Sequence, residues 1–288
     1  MLRAPPVEAE TVTMVPAPAD TPAFDVADTE ALVRSNTAVN DEYFHLTLSA
    51  PGLAMNARAG QFFNIACPAT DKDLPYLRRP MSVYRVVPSK GEIEFLYKVT
   101  GAGTRGLATL RAGDSTAILG PLGNGFELNP RWKDIVVVGR GVGLATLAPL
   151  AEMAAARGVK VTAILSARSP GLVMSVERFA ASGAEVQVVT DEDGSSHPDN
   201  VERLLVGLTE QGRADAFFTC GSNRLMLLLK RVGEAHQVPG QVAMEQQMAC
   251  GLGMCFCCVR NFSAPQGTEQ RRVCVDGPVF PLSEALSW

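Results

Sequence analysis

The chain has 288 residues, enough for two compact domains, and 47% of them are hydrophobic, which supplies ordinary cores and excludes a disordered protein. A formal net charge of −4 without a basic block excludes nucleic acid as the main partner. No stretch approaches the roughly 18 uninterrupted apolar residues of a spanning helix, so no membrane partner is expected; seven cysteines, an odd number, fit a reducing compartment, with the cytoplasm the simplest location.

Residues 1–26, rich in Ala, Pro, Thr and acidic groups and without the apolar core of a signal peptide, read as a flexible tail. From 27 to 129, short strand-like runs follow one another: ALVRSNTAV, YFHLTLSA, GQFFNIACP, MSVYRVVP, EIEFLYKV and STAILGPLG. Turn residues at Pro51-Gly52, Ser89-Lys90-Gly91 and Ala112-Gly113-Asp114 separate them, which predicts a β barrel or sandwich. After Pro130 the texture changes. IVVVG is a continuous β-branched run suited to a strand buried on both faces, and it leads through glycines into the helical pattern LATLAPLAEMAAARG. VKVTAILSA, EVQVVTD and DAFFTCG repeat the strand theme, and SVERFAASG, NVERLLVGLTEQG and NRLMLLLKRVGEA read as helices. Over residues 130–242 this alternation predicts an α/β domain on a parallel sheet. Residues 243–288 hold a cysteine loop and read as a small metal-centred module.

In that module Cys250, Cys255, Cys258 and Cys274 follow the order C-x4-C-x2-C and a lone Cys, the spacing of plant-type [2Fe–2S] ligands. Gly251 and Gly253 let the backbone curl around a cluster and aim N–H groups at its sulfurs. A structural zinc is the rival, but such sites usually offer two C-x2-C pairs and only Cys255 and Cys258 form one here. Cys257 sits between two ligands and cannot easily turn to the same centre, while Cys67 and Cys220 read as packing thiols.

Other segments carry weaker signals. The passage through Gly139, Gly141 and Gly143 from strand to helix would let a phosphate approach the backbone, although Leu144 takes the third glycine position of a strict G-x-G-x-x-G. Arg168, where an acidic residue would read a ribose, favours a phosphorylated ribose or is a surface arginine. Arg78 and Arg79, beside Pro80, Met81 and Ser82, form a set able to clamp a pyrophosphate and touch a flavin ring, or a solvated surface. His45, His197 and His236 lack suggestive neighbours, so hydrolysis is not expected.

Taken together, RRPMSV, GAGTRGLATLRAGD, GPLGNGF, GRGVG, TDEDGS, TCGS, EQQMACGLGMCFCCV and VCVDGPVF stand in an order that resembles the ferredoxin-reductase superfamily. Within it the chain is most similar to the electron-transfer subunits of NAD-dependent, heteromeric dihydroorotate dehydrogenase, over nearly all but the tail. The resemblance implies a β-barrel FAD domain, an α/β parallel-sheet dinucleotide domain and a C-terminal [2Fe–2S] module. It implies FAD contacts from Arg79, Pro80, Met81 and Ser82 and, at the pyrophosphate, from Gly103 and Thr104; cluster ligation by Cys250, Cys255, Cys258 and Cys274; and NAD(P) at Gly139, Gly141 and Gly143. The implied partner is a catalytic, FMN-containing flavoprotein dehydrogenase subunit of pyrimidine biosynthesis, whose electrons travel through the cluster and FAD to NAD. The alternative is the same module reading NAD(P)H and feeding a different oxidoreductase. The dinucleotide half departs from the pattern: Arg140 interrupts the glycines, Thr146 replaces a Pro, residues 197–200 replace a glycine-containing continuation, and Ser222-Asn223 stand where a Pro is usual.

Overall fold

The computed structural model describes residues 26–51 and 57–287, so the tail expected over residues 1–26 lies outside the described residues except for Val26. The first sheet is built from β1 (Ala27–Ala38), β2 (Tyr43–Ser49), β3 (Phe62–Ile65), β4 (Arg79–Ser82), β5 (Arg85–Val87), β6 (Glu92–Lys98) and β7 (Ser115–Leu122), with the short helix α1 (Ala102–Leu107) between β6 and β7. The strands are antiparallel in the order β4-β3-β7-β1-β2-β6-β5. The two outermost strands are consecutive in the chain, so the sheet rolls round on itself as a barrel. MSVYRVVP, expected as one strand, is divided between β4 and β5. The chain changes partner there: Val83 donates its N–H to the Gln61 carbonyl at 2.9 Å and Tyr84 donates to the Glu94 carbonyl at 2.9 Å. Alternate positions such as Leu46 and Leu48 point inward to Phe63, Ile65 and Phe95, each fully buried and contributing roughly 1.5–3 kcal/mol of transfer free energy.

The second layer alternates strand and helix: β8 (Asp134–Arg140), α2 (Gly143–Ala156), β9 (Lys160–Ala167), α3 (Val176–Ala181), β10 (Glu185–Thr190), α4 (Pro198–Glu210), β11 (Ala216–Cys220), α5 (Asn223–His236) and β12 (Gly240–Ala243). Isoleucine and valines in β8 and the phenylalanines of β11 are buried because helices cover both faces of a parallel sheet. Helix α4 buries Val201, Leu205 and Leu208, a stripe at helical spacing, and α5 starts at Ser222, whose hydroxyl accepts the Leu225 N–H at 3.3 Å.

The cysteine-bearing segment adds the hairpin β13 (Val259–Ala264) and β14 (Gly267–Arg272), then β15 (Val279–Pro281). Strand order in the large sheet is β10-β9-β8-β11-β12-β15, with β15 antiparallel to β12. The final strand therefore belongs to the α/β sheet. One core runs from Phe62 and Leu122 of the barrel through Val136 and Phe217 of that sheet to Cys258, Phe262 and Cys274 of the cysteine segment. No helix among the described residues is long and apolar enough to cross a membrane.

Candidate functional site

The cysteine loop is shaped by three left-handed residues: Gly251 at φ 71°, Gly253 at φ 80° and Phe256 at φ 55°. Glycine adopts this region freely, whereas a phenylalanine there is rare, and it turns the chain between two thiols. The four spaced cysteines come together as two pairs: Cys250 hydrogen-bonds with Cys255, and Cys258 with Cys274. Among the described residues no three ligating side chains meet at one point, as a tetrahedral zinc would need. Two thiols for each of two irons is the ligand count of a [2Fe–2S] group, and the two pairs fit it.

Backbone amides reinforce the fit. Leu252 N–H points at Cys250 Sγ (3.3 Å) and Cys274 N–H at Cys258 Sγ (3.4 Å). Burial pushes the Cys250 thiol up, but N–H groups of Leu252, Cys255 and Met254 outweigh it and its pKa falls to about 7, which favours the thiolate that binds metal. Cys274 is pushed up to about 12 by burial and by Cys258. Arg272 pins the loop, donating to the Gly253 carbonyl at 3.1 Å while its guanidinium lies over the Phe256 ring. Cys257 is exposed and turned toward the Gln247 carbonyl. Cys67 is half-buried and Cys220 buried.

A pocket of about 390 Å³ adjoins this loop, lined by Leu77, Arg79 and Pro80 from the barrel and by Gln246, Gln247 and Met248, the residues just ahead of Cys250. Arg78 is spent on a bidentate ion pair with Asp28, leaving Arg79 as the cation of the pocket. Arg79 is held by the Leu77 and Arg78 carbonyls and lies against Gly103, where a Cβ would stand 2.6 Å from its Nε. Strand β4 and helix α1 are thus brought together, with Pro80, Met81 and Ser82 following along the strand. The Thr104 hydroxyl is committed to its own turn. It accepts the N–H groups of Thr100 (2.8 Å) and Gly101 (3.0 Å) and donates to the Gly101 carbonyl. Backbone N–H groups of the first turn of α1 are left as the donors there.

Two further residues escaped the sequence reading. Asn64, opposite Pro80 in the β3–β4 ladder, is 1% exposed with its Oδ1 unpartnered, and its amide nitrogen faces Gly251. An orphaned buried acceptor beside both strand β4 and the cysteine loop fits a donor from a bound group. Glu245 stands just ahead of the cysteine loop, and desolvation by the surrounding protein raises its pKa. It acts on Cys220, whose thiol burial also pushes up. Neither an isolated Asn in a strand nor a Glu before a cysteine motif carries a spacing signal.

In the α/β sheet, the turn after β8 meets the turn after β11 backbone to backbone. A Cβ on Gly143 would lie 2.5 Å from the Cys220 carbonyl, and one on Gly221 would lie 2.2 Å from the Arg140 carbonyl oxygen. Of the three glycines, Gly141 alone has a positive φ, 56°; Gly139 is needed to admit Leu144 and Leu147. Strand order reverses at β8 and β11, the switch point where open α/β sheets take ligands. Arg140 leaves the turn sideways and reaches Asp191. Arg168 is ion-paired with Glu42 of the barrel, which Lys98 also approaches at 2.9 Å.

Comparisons with known proteins agree with this geometry. The family described as the iron-sulfur cluster binding domain of dihydroorotate dehydrogenase B matches residues 245–285, and the oxidoreductase FAD-binding domain matches residues 30–126. The chain is 32% identical over 238 residues to the "Dihydroorotate dehydrogenase B (NAD(+)), electron transfer subunit" of Desulforamulus reducens, covering 83% of this chain and 90% of that protein. The protein of the same name from Bacillus caldolyticus is 32% identical over 259 residues, 88% of this chain and 96% of its own length. Among solved structures, a chain of the NADH-dependent reduced ferredoxin-NADP oxidoreductase studied for flavin-based electron bifurcation superposes with a TM-score of 0.75 at 27% identity, covering 88% of both chains. Ferredoxin-NADP+ reductase from Plasmodium falciparum shares the fold, with a TM-score of 0.59 at 11% identity over 73% of this chain and 90% of that one.

Proposed function

This chain belongs to the family of electron transfer subunits of dihydroorotate dehydrogenase B, and from that membership we propose that it carries electrons between a catalytic dihydroorotate dehydrogenase subunit and NAD. The observation that carries the reading is the adjacency of two sites: the residues lining the Arg79 pocket run directly into Cys250. When bound, the [2Fe–2S] group supplies single-electron transfer and FAD converts between that and two-electron hydride exchange with NAD. The thiols of Cys250, Cys255, Cys258 and Cys274 would hold the cluster, and N–H groups of the curled loop would stabilise its negative sulfur. Arg79, with the first-turn N–H groups of α1 at Gly103 and Thr104 beside it, would hold FAD phosphate, and Pro80, Met81 and Ser82 would line the flavin. Gly139, Gly141 and Gly143 admit the dinucleotide at the switch point.

The partner, which we take to be FMN-containing, docks on the apolar rim around the cysteine loop. Met254 is 78% and Phe256 64% exposed there, and Tyr76 on the facing barrel loop is 96% exposed. We take the chain as divided at 27–129, 130–242 and 243–288, with the last segment lending β15 to the α/β sheet, and its thiols suit a reducing cytoplasm. The structural likeness to an NADH-dependent oxidoreductase chain favours one second reading, the same module feeding a different oxidoreductase.

Anaerobic purification, iron and flavin analysis, and visible spectra under NADH, or under dihydroorotate with the catalytic subunit, test the proposal. Two irons and one FAD per chain, bleached by NADH alone and by dihydroorotate only with the partner, are expected. Zinc in place of iron, or a colourless protein, overturns it. Bleaching by NADH without any response to dihydroorotate and the catalytic subunit supports the second reading.

A further inference from the structure

The wall between the Arg79 pocket and the cysteine loop holds a polar side chain that packing does not account for. Strand β3 alternates: Phe63 and Ile65 fill the barrel, so Phe62 and Asn64 point out of it. Asn64 stands directly opposite Pro80 in the antiparallel ladder, and residues so paired project from one face of the sheet. Pro80 lines the pocket of about 390 Å³, and a Cβ on Gly251, the residue after Cys250, would lie 2.3 Å from Asn64 Nδ2. The side chain therefore bridges strand β4 and the cysteine loop. It is 1% exposed, and among the described residues its Oδ1 finds no donor.

A buried carbonyl oxygen left without a donor keeps its full desolvation cost, and folded chains almost always supply a partner. Pro80, its neighbour across the ladder, has no N–H to offer. Donors on adjoining residues point elsewhere: Arg79 Nη1 goes to the Leu77 and Arg78 carbonyls, and the Leu252 N–H to Cys250 Sγ. An iron–sulfur group cannot supply the donor, because thiolate and sulfide sulfurs only accept. FAD does carry donors, the N3–H of its ring and the hydroxyls of its ribityl chain. An orphaned acceptor on the pocket face of β3 selects that chemistry.

We propose that Asn64 is a flavin ligand: its carboxamide oxygen accepts a hydrogen bond from FAD, from the ring N3–H or a ribityl hydroxyl, at the wall shared with the cysteine loop. The nitrogen end of the same amide lies against Gly251, so one planar group touches both the flavin pocket and the segment that carries Cys250. The inference rests on reading the Arg79 pocket as the FAD site. It deepens that reading by adding a ligand from β3, outside the β4 and α1 segments on which the reading stands.

Release of FAD from the diluted holoprotein, followed by the fluorescence of free flavin, reads this contact without involving electron transfer. Asn64→Leu keeps the size and branching of the side chain while removing the acceptor. It should speed release about three- to tenfold, the contribution of one neutral hydrogen bond, with iron per chain near wild type. Unchanged release overturns the inference while the FAD reading stands, and so does loss of iron with flavin release unaltered. A crystal structure of the wild-type holoprotein decides the question even where the variant does not fold. A flavin N–H or O–H within about 3.2 Å of Asn64 Oδ1 is expected there, and an Oδ1 that meets only protein or water overturns the inference. A protein that binds no flavin at all takes both readings down together.

Discussion

Replacing Gly251 by alanine tests whether the cysteine loop is seated by the barrel. At φ 71° an alanine is left-handed, at about 1–2 kcal/mol. Its Cβ would fall 2.3 Å from Asn64 Nδ2 and 2.9 Å from Leu122 Cδ1, both on buried residues of the barrel wall, and overpacking of that kind adds about 1–3 kcal/mol. The sum, roughly 2–5 kcal/mol, is relieved most easily by lifting the loop away, and Cys250 is the residue immediately before. Iron per chain after anaerobic purification should therefore fall, FAD should stay near wild type, and the thermal midpoint should drop by about 4 °C or more. Gly113→Ala serves as the control, because Gly113 has φ 96° with nothing within 4 Å of a Cβ and so carries backbone strain without the clash. Full iron in Gly251→Ala, or an equal loss of midpoint in both variants, would refute the idea that barrel contact seats the loop.

Arg79→Ala should weaken FAD retention by about 1.5–3 kcal/mol, seen as flavin lost on dialysis; unchanged flavin content would show that another group carries the phosphate. Cys274→Ser should remove the iron–sulfur spectrum while flavin remains, and Cys257→Ser should leave that spectrum nearly intact, since its thiol faces the Gln247 carbonyl; the reverse pattern would reassign the ligands. Arg178, 6% exposed at its side chain, joins Glu152 to the Tyr84 carbonyl, so Arg178→Met should lower unfolding free energy in urea. Breaking a buried pair costs about 3–5 kcal/mol, but Glu152 is 40% exposed and screened, so about 2 kcal/mol is expected and no change would contradict it. Hydrogen bonds from Arg140 and then Ser196 hold Asp191 below the usual carboxylate range. A depressed folded pKa gives stability that is present above the unfolded value and lost as pH falls through the folded one, so Asp191→Asn should flatten the acid limb of the stability profile below about pH 4. An acid limb identical to wild type would count against the pairing.

Much of this was legible in residue order. Strand and helix runs from Ala27 to His236 follow hydrophobic periods, because each element buries one face or both, and period is a local property. The four cysteines were legible because spacing alone constrains how a loop can close on a cluster. Strand β15 was not: VFP is three residues long and becomes a strand only by pairing with β12, a contact that no local pattern encodes. The β4–β5 break was hidden for the same reason, since Val83 and Tyr84 change partner without a Gly or Pro to mark it. Thr104 shows a different limit. Its position pointed to phosphate, but its hydroxyl is engaged within the turn, and only coordinates reveal which donor is left. Arg140 and Arg168 are alike as letters, and only the placement of Asp191 and Glu42 tells them apart.

An electron carrier also needs its two sites kept at a fixed separation, and the way the cysteine segment is built in bears on this. A free-standing module on a linker would let the distance vary. Here Asn124, just past the barrel's last strand, receives the chain on both sides: its N–H donates to the Gly277 carbonyl at 2.6 Å and its side chain to the Val275 carbonyl at 3.1 Å. Gly123 has room for no side chain, since a Cβ would lie 2.5 Å from Pro278 Cδ. Immediately after Pro278, β15 enters the α/β sheet, and Cys258 and Cys274 share a core with Phe62 of the barrel and Phe217 of that sheet. The ligand-bearing segment is thus a wedge gripped by both larger units. Loosening either grip moves the cysteines relative to Arg79, so substitutions at Gly123 or Gly251 should alter cluster and flavin communication before they unfold either sheet.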